Sequence, residues 1–344
     1  MVANINETTQ ELQPSNMSSV LYHLLKVWKP YFEIDGITEI SMNREKEVIL
    51  EVNGEFQTKI DERLTKQFLI DFCEQLATYR NLYFNINVPH LSCSIPNTNI
   101  RVQAQHHSII VNNEVCLSMR IPSKTIFPIT AFKLNNNLGY DYDDFKNFII
   151  NKKSILVSGG TGTGKTSFLN ALLDFLPPND RIVTVEDSPE LRVKNENKVQ
   201  IVVAKNDQTA YTYKDGLNDA MRLRPDRIFV GEIDTRNTLL FLRLSNTGHE
   251  GMVSSIHANG VQESIQAITL NAKFEGSSIE VKTLVEYFAS AIDYVIQIKR
   301  DRNKGRIIHS VLDVKKAFAH LLNNASKEIE SLINNEVSNL METK

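Results

Sequence analysis

The stretch SGGTGTGKTS, Ser158 to Ser167, places four of the chain's 14 glycines within the six positions 159–164, where a plain bend would need one or two. It follows the apolar run Ser154-Ile155-Leu156-Val157 and opens onto Phe168-Leu-Asn-Ala-Leu-Leu, so it reads as a loop between a strand and a helix. Gly159 to Thr166 match the pattern GxxxxGK[ST]. Phosphate oxygens approach a main chain closely only where side chains are absent and unusual backbone angles are allowed, and glycines meet both needs. The loop from Gly159 through Gly160, Thr161, Gly162, Thr163 and Gly164 to Lys165, Thr166 and Ser167 is therefore expected to cradle a nucleotide. Lys165 would reach the β- and γ-phosphates, the Thr166 hydroxyl would ligate Mg²⁺, and the following helix would add the positive end of its dipole.

Outward from that loop, 344 residues suffice for two ordinary domains, and 42% apolar with 23% charged residues describes a globular chain. A net charge of −3 gives no support to direct nucleic-acid binding, which usually shows a basic excess or face. Cys73, Cys93 and Cys116 form no CxxC pair, which fits buried reduced thiols rather than a disulfide framework or a zinc knuckle. The N-terminal MVANINETTQELQPSN lacks the regions of a signal peptide, and no apolar run reaches membrane-spanning length. A cytoplasmic protein is expected, with any membrane association peripheral.

Residues 1–18 read as a disordered tail. An α+β domain is expected over 19–124. It opens on a helix carrying Leu21, Leu25 and Trp28, followed by strands at Ile37–Met42 and Glu47–Phe56 joined by the turn signal Asn53-Gly54. Prolines and asparagines make 125–139 a linker. From 140 to 312, short strands rich in β-branched residues alternate with helical segments, the pattern of a mostly parallel sheet covered on both faces. A helical extension over 313–344 carries Phe318, Leu322, Ala325, Ile329, Leu332 and Leu340 on one face.

Three further motifs narrow the chemistry. Leu223-Arg-Pro-Asp-Arg-Ile-Phe-Val-Gly231-Glu232 ends an apolar strand in a carboxylate, with Gly231 where a strand-end aspartate is usual. Glu232 would orient or deprotonate water, with metal contact through water. Thr184-Val-Glu186-Asp187-Ser-Pro-Glu190-Leu offers two adjacent acids near the same sheet end, to hold magnesium or its waters, or for Glu186 to share the role of base. Thr247-Gly-His249-Glu-Gly-Met-Val-Ser-Ser-Ile-His257-Ala-Asn holds two histidines, whose spacing suits a γ-phosphate sensor at His257 better than a metal pair.

Together the four motifs resemble those of the hexameric secretion ATPases, most closely the type IV secretion traffic ATPases of the VirB class, where they are called Walker A, Walker B, Asp box and His box. The resemblance spans about residues 20–310. It implies a RecA-like P-loop NTPase domain in an α/β fold, preceded by a smaller α+β N-terminal domain that lends Arg101 and Arg120 to the phosphates. It implies ATP hydrolysis, a homo-hexamer, and partners among coupling proteins and secretion components at the inner-membrane face. Two residues depart from the family pattern: Asp234 stands where GEIR has arginine, with Arg236 nearby to supply its contact, and Ser255 replaces threonine. A type II secretion or type IV pilus ATPase is the neighbouring reading, and a nucleotide-gated scaffold with little turnover is the alternative of another class. Ala204-Lys-Asn-Asp falls short of the guanine-reading NKxD, which argues against a GTPase.

Overall fold

The computed structural model describes residues 17–122, 126–203, 211–301 and 305–324. Most of the expected tail, the Ala204–Asp207 stretch, and Ala325, Ile329, Leu332 and Leu340 lie outside the described residues. The chain divides into two compact units between Thr125 and Ile126.

In the first unit, Ser18 caps helix α1 (Ser19–Phe32) by accepting from the Leu21 amide, and one helical face buries Leu21, Leu25, Trp28 and Tyr31. Strands β1 (Ile37–Arg44), β2 (Glu47–Val52) and β3 (Glu55–Ile60), helix α2 (Lys66–Tyr79), and strands β4 (His90–Ser94), β5 (Arg101–Gln105) and β6 (Cys116–Arg120) complete it. The six strands form an antiparallel sheet in the order β3-β2-β1-β6-β5-β4. Its apolar face packs Ile40, Met42, Val48, Leu50, Val102 and Met119 against the helices, where the Trp28 ring lies 6.0 Å from Phe68 and 5.7 Å from Phe72. The turn signal at Asn53-Gly54 joins β2 to β3, not β1 to β2. Both residues take positive φ, 55° and 86°, which suits a two-residue hairpin turn and cuts the expected Glu47–Phe56 strand in two.

The second unit comprises β7 (Lys133–Leu134), α3 (Tyr142–Ile150), β8 (Ile155–Ser158), α4 (Lys165–Leu173), β9 (Ile182–Glu186), β10 (Lys198–Val202), α5 (Tyr213–Arg222) and β11 (Arg227–Val230). It continues through α6 (Thr238–Ser245), β12 (Val253–Ile256), α7 (Val261–Phe274), α8 (Val281–Ala291), β13 (Tyr294–Asp301), β14 (Gly305–Asp313) and α9 (Val314–Ala317). Its eight-stranded sheet runs β10-β9-β11-β12-β8-β13-β14-β7, with only the β13–β14 hairpin antiparallel. Alternate residues of one strand enter opposite cores: Ile155 and Val157 meet Phe145 and Phe168 on one side, Leu156 meets Leu217, Phe241 and Phe288 on the other. This two-sided covering is why the strands read as unbroken apolar runs.

The stretch expected as a linker is partly built into this unit. Phe132 is fully buried beside Phe168, and β7 pairs with the outer edge of β14. The two apolar anchors Ile129 and Phe132 outweigh the loop-like composition around them. Likewise Val314, Phe318 and Leu322 at the start of the expected C-terminal extension pack onto the second unit's core.

Candidate functional site

Strands β9, β11, β12 and β8 are adjacent and parallel, so the residues that follow their C-terminal ends emerge along one rim of the sheet. That topology brings together motifs scattered over about a hundred residues of sequence. The phosphate loop follows β8, Glu186 closes β9, Glu232 follows β11, and His257 follows β12.

Within the loop, Gly162 and Gly164 adopt φ of 73° and 97°. Gly159 answers to space instead: a Cβ there would lie 2.5 Å from Thr163 Oγ1 and 2.9 Å from the Ile298 carbonyl. Thr163 Oγ1 donates to the Gly160 carbonyl at 2.8 Å and tightens the turn. Gly164 caps α4, whose first residue is Lys165. The Lys165 ammonium is buried, donates to the Gly159 carbonyl at 3.0 Å, and lies 3.1 Å from His257 Nδ1. The same ammonium is 3.4 Å from His257 Nε2, which is in turn 2.7 Å from Glu232 Oε1. Lys165, His257 and Glu232, from three separate motifs, thus meet in one chain of contacts.

Glu186 is buried, and its Oε2 accepts from the Glu190 and Leu191 amides at 2.7 and 3.0 Å, holding the loop after β9 in shape. Glu190 lies in that loop. The Glu186 side chain also explains Gly231. A Cβ on Gly231 would come within 3.0 Å of Glu186 Cγ, so the space of the usual strand-end aspartate is taken by Glu186.

Residues 89–297, more than half of the chain and all four motifs, match the family model described as Type II/IV secretion system protein. The chain belongs to this family. Among curated relatives, the type IV secretion system protein VirB11 of Bartonella henselae is 27% identical over 348 residues, covering 90% of this chain and 97% of that protein. Among solved structures, the pilus retraction motor PilT with bound ADP aligns with a TM-score of 0.62 at 18% identity, over 90% of this chain and 88% of that one. The ATPase DotB of Legionella pneumophila gives 0.61 at 17% identity, over 92% and 89%. The last two establish a shared fold: the second unit is the RecA-like α/β domain and the first the smaller α+β domain.

The two departures from the secretion-family pattern have structural accounts. Asp234 accepts from Arg236, through Nε at 2.8 Å and through Nη2, while Nη2 also reaches Asp187 Oδ2 at 3.3 Å. The guanidinium lies 4.9 Å from the centre of the Tyr213 ring, whose hydroxyl accepts from the Asp187 amide. Burial works against the charge of Arg236, but the hydrogen bond and charge of Asp234 outweigh it and hold the group above its ordinary pKa. Arg236 therefore ties the loop after β9 to the loop after β11. Ser255 donates to the Gly231 carbonyl at 2.9 Å, a bond that threonine would make equally.

Asn237 was not singled out by motif, yet it is fully buried, donates to the Glu232 carbonyl at 2.9 Å and accepts from the Asp234 amide, shaping the turn behind Glu232. Tyr213 was equally silent. The one signal for this network is opposite charge two residues apart at Asp234 and Arg236. His249 sits in the loop after α6, and among the described residues no group of three His, Cys, Asp or Glu is placed to hold a metal.

In the first unit, Arg101 and Arg120 are direct cross-strand partners on β5 and β6, on the polar face of the sheet. Ser94 neighbours Arg101 and Glu39 neighbours Arg120 in the same row. Burial raises the Cys73 thiol and pushes Cys93 up to about 12, so both stay protonated as inert core groups. No helix among the described residues is long and apolar enough to cross a membrane.

Proposed function

We propose that the chain is an ATP-hydrolysing motor that works as a homo-hexamer in a type IV secretion system, at the inner-membrane face, with coupling proteins and apparatus components as partners. The convergence of Lys165, His257 and Glu232 carries this reading, because it puts a phosphate-binding ammonium beside the carboxylate that acts on water. The near full-length similarity to a protein named for type IV secretion supports that system over the pilus alternative.

In this reading the amides of Gly159 to Ser167 and the Lys165 ammonium hold the triphosphate, while Glu232 takes the proton of the attacking water. Magnesium fits the donor set. Thr166 offers its hydroxyl in the first turn of α4, and Mg²⁺ characteristically rides on substrate phosphates with few protein oxygens. Glu186, Asp187 and Glu232 would hold its water shell, and the ion would supply neutralisation of the charge that develops on the transferring phosphoryl group. Arg101 and Arg120 form a fork for the same phosphates, drawing the first unit toward the nucleotide until hydrolysis releases it.

Glu232→Gln tests the chemistry. ATP binding by calorimetry should stay within about twofold of wild type while turnover falls about a hundredfold or more. Undiminished hydrolysis would remove Glu232 from its role. Turnover measured beside mass-resolved sizing separates the motor from a scaffold, since tight ATP binding in a ring with no turnover would favour the latter.

A further inference from the structure

We propose that His257 is a latch: without nucleotide it holds Lys165 in a resting arrangement that incoming phosphates must open. The proposal rests on the reading of Lys165 as the phosphate lysine.

A lysine ammonium only donates, an ionised carboxylate only accepts, and a neutral imidazole has one nitrogen for each task. The ammonium lies 3.1 Å from His257 Nδ1 and 3.4 Å from Nε2, so whichever ring nitrogen carries the lone pair accepts from it. Glu232 Oε1 stands 2.7 Å from Nε2. Lys165 is meanwhile folded back, with its ammonium shared between His257 and the Gly159 and Gly160 carbonyls at 3.0 and 3.5 Å.

Phosphates compete for that ammonium directly. When they draw Lys165 onto themselves, the imidazole loses its donor and the ammonium leaves the Gly159 and Gly160 carbonyls. A histidine that merely touched the γ-phosphate would have no effect on a ligand without one.

ADP makes the distinction, because it captures Lys165 through its β-phosphate and lacks the γ-phosphate. In calorimetry with the full chain and magnesium, His257→Ala should bind ADP about three- to tenfold more tightly than wild type, since one hydrogen bond to a charged group no longer has to be broken. His257→Gln, whose amide keeps one donor and one acceptor, should return the affinity toward the wild-type value. Unchanged or weaker ADP binding by His257→Ala would overturn the latch. Equal tightening in both variants would assign the effect to lost bulk and overturn it as well. If the wild type itself took up no ADP, the nucleotide reading would fail first, and the latch with it.

Discussion

Gly231 shows how one missing side chain sets the chemistry beside it. With no Cβ in the way, Glu186 packs over the end of β11 and spends Oε2 on two amides, which leaves Glu232 as the carboxylate that reaches His257. Gly231→Ala should crowd Glu186 off those amides and cost about 1–3 kcal/mol, read as a lowered midpoint in thermal unfolding. An unaltered midpoint would mean that the loop after β9 does not depend on this fit. Arg236 invites a second test at the same scale. Removing it leaves Asp187 and Asp234 facing each other across the two loops without their shared cation, so Arg236→Ala should destabilise by about 1–3 kcal/mol. Lysine at 236 should recover only part of that, since a single ammonium lacks the fork that spans both carboxylates. The phosphate loop, Glu232 and His257 were legible in the sequence because each carries its chemistry in a local pattern. Asn237, Tyr213 and the bridging role of Arg236 were not, because their partners come from other strands and no local spacing announces them.

At the scale of elements, legibility followed burial geometry. The central strands of the second unit declared themselves as apolar runs because both faces are covered, and α1 because one face is. Strand β3 did not, since every residue in it is exposed on the sheet edge, and β7 is only two residues long. The end of α1 is tied to the segment after β3 by Tyr31, which donates to Asp61 Oδ2 at 2.7 Å, while Arg63 pairs with the same carboxylate. The Arg63 hydrogen bond holds Asp61 well below the usual carboxylate range, and burial followed by the Asp61 hydrogen bond pushes Tyr31 up to about 12. The depressed carboxylate stabilises the fold above about pH 4, and that contribution fades as pH falls toward its lowered folded value. The raised phenol contributes below about pH 10 and its share is lost as pH rises through about 12. Asp61→Asn should therefore lower stability by about 1 kcal/mol between pH 5 and 9. The gap from wild type should narrow in acid, which denaturant melts at pH 7 and pH 3 would reveal; a gap of equal size at both would sever the link to ionisation.

For the whole molecule, the pairing of Arg101 with Arg120 is the feature that a folded sheet alone does not favour. Like charges directly opposite each other on antiparallel strands repel, and Glu39 is the cross-strand neighbour on the far side of Arg120. In the proposed motor the two guanidinium groups share the triphosphate as an anion. Stability and function then make opposite demands on the same side chain. Arg120→Ala should leave the nucleotide-free protein as stable as wild type or stabler by a few tenths of a kcal/mol, while turnover falls about a thousandfold. The decisive measurement is small-angle scattering with a non-hydrolysable ATP analogue and magnesium. Wild type should contract on binding and Arg120→Ala should not. Equal contraction in the two would show that the units close without the arginine, and the account of chemistry converted into movement through this pair would have to be abandoned.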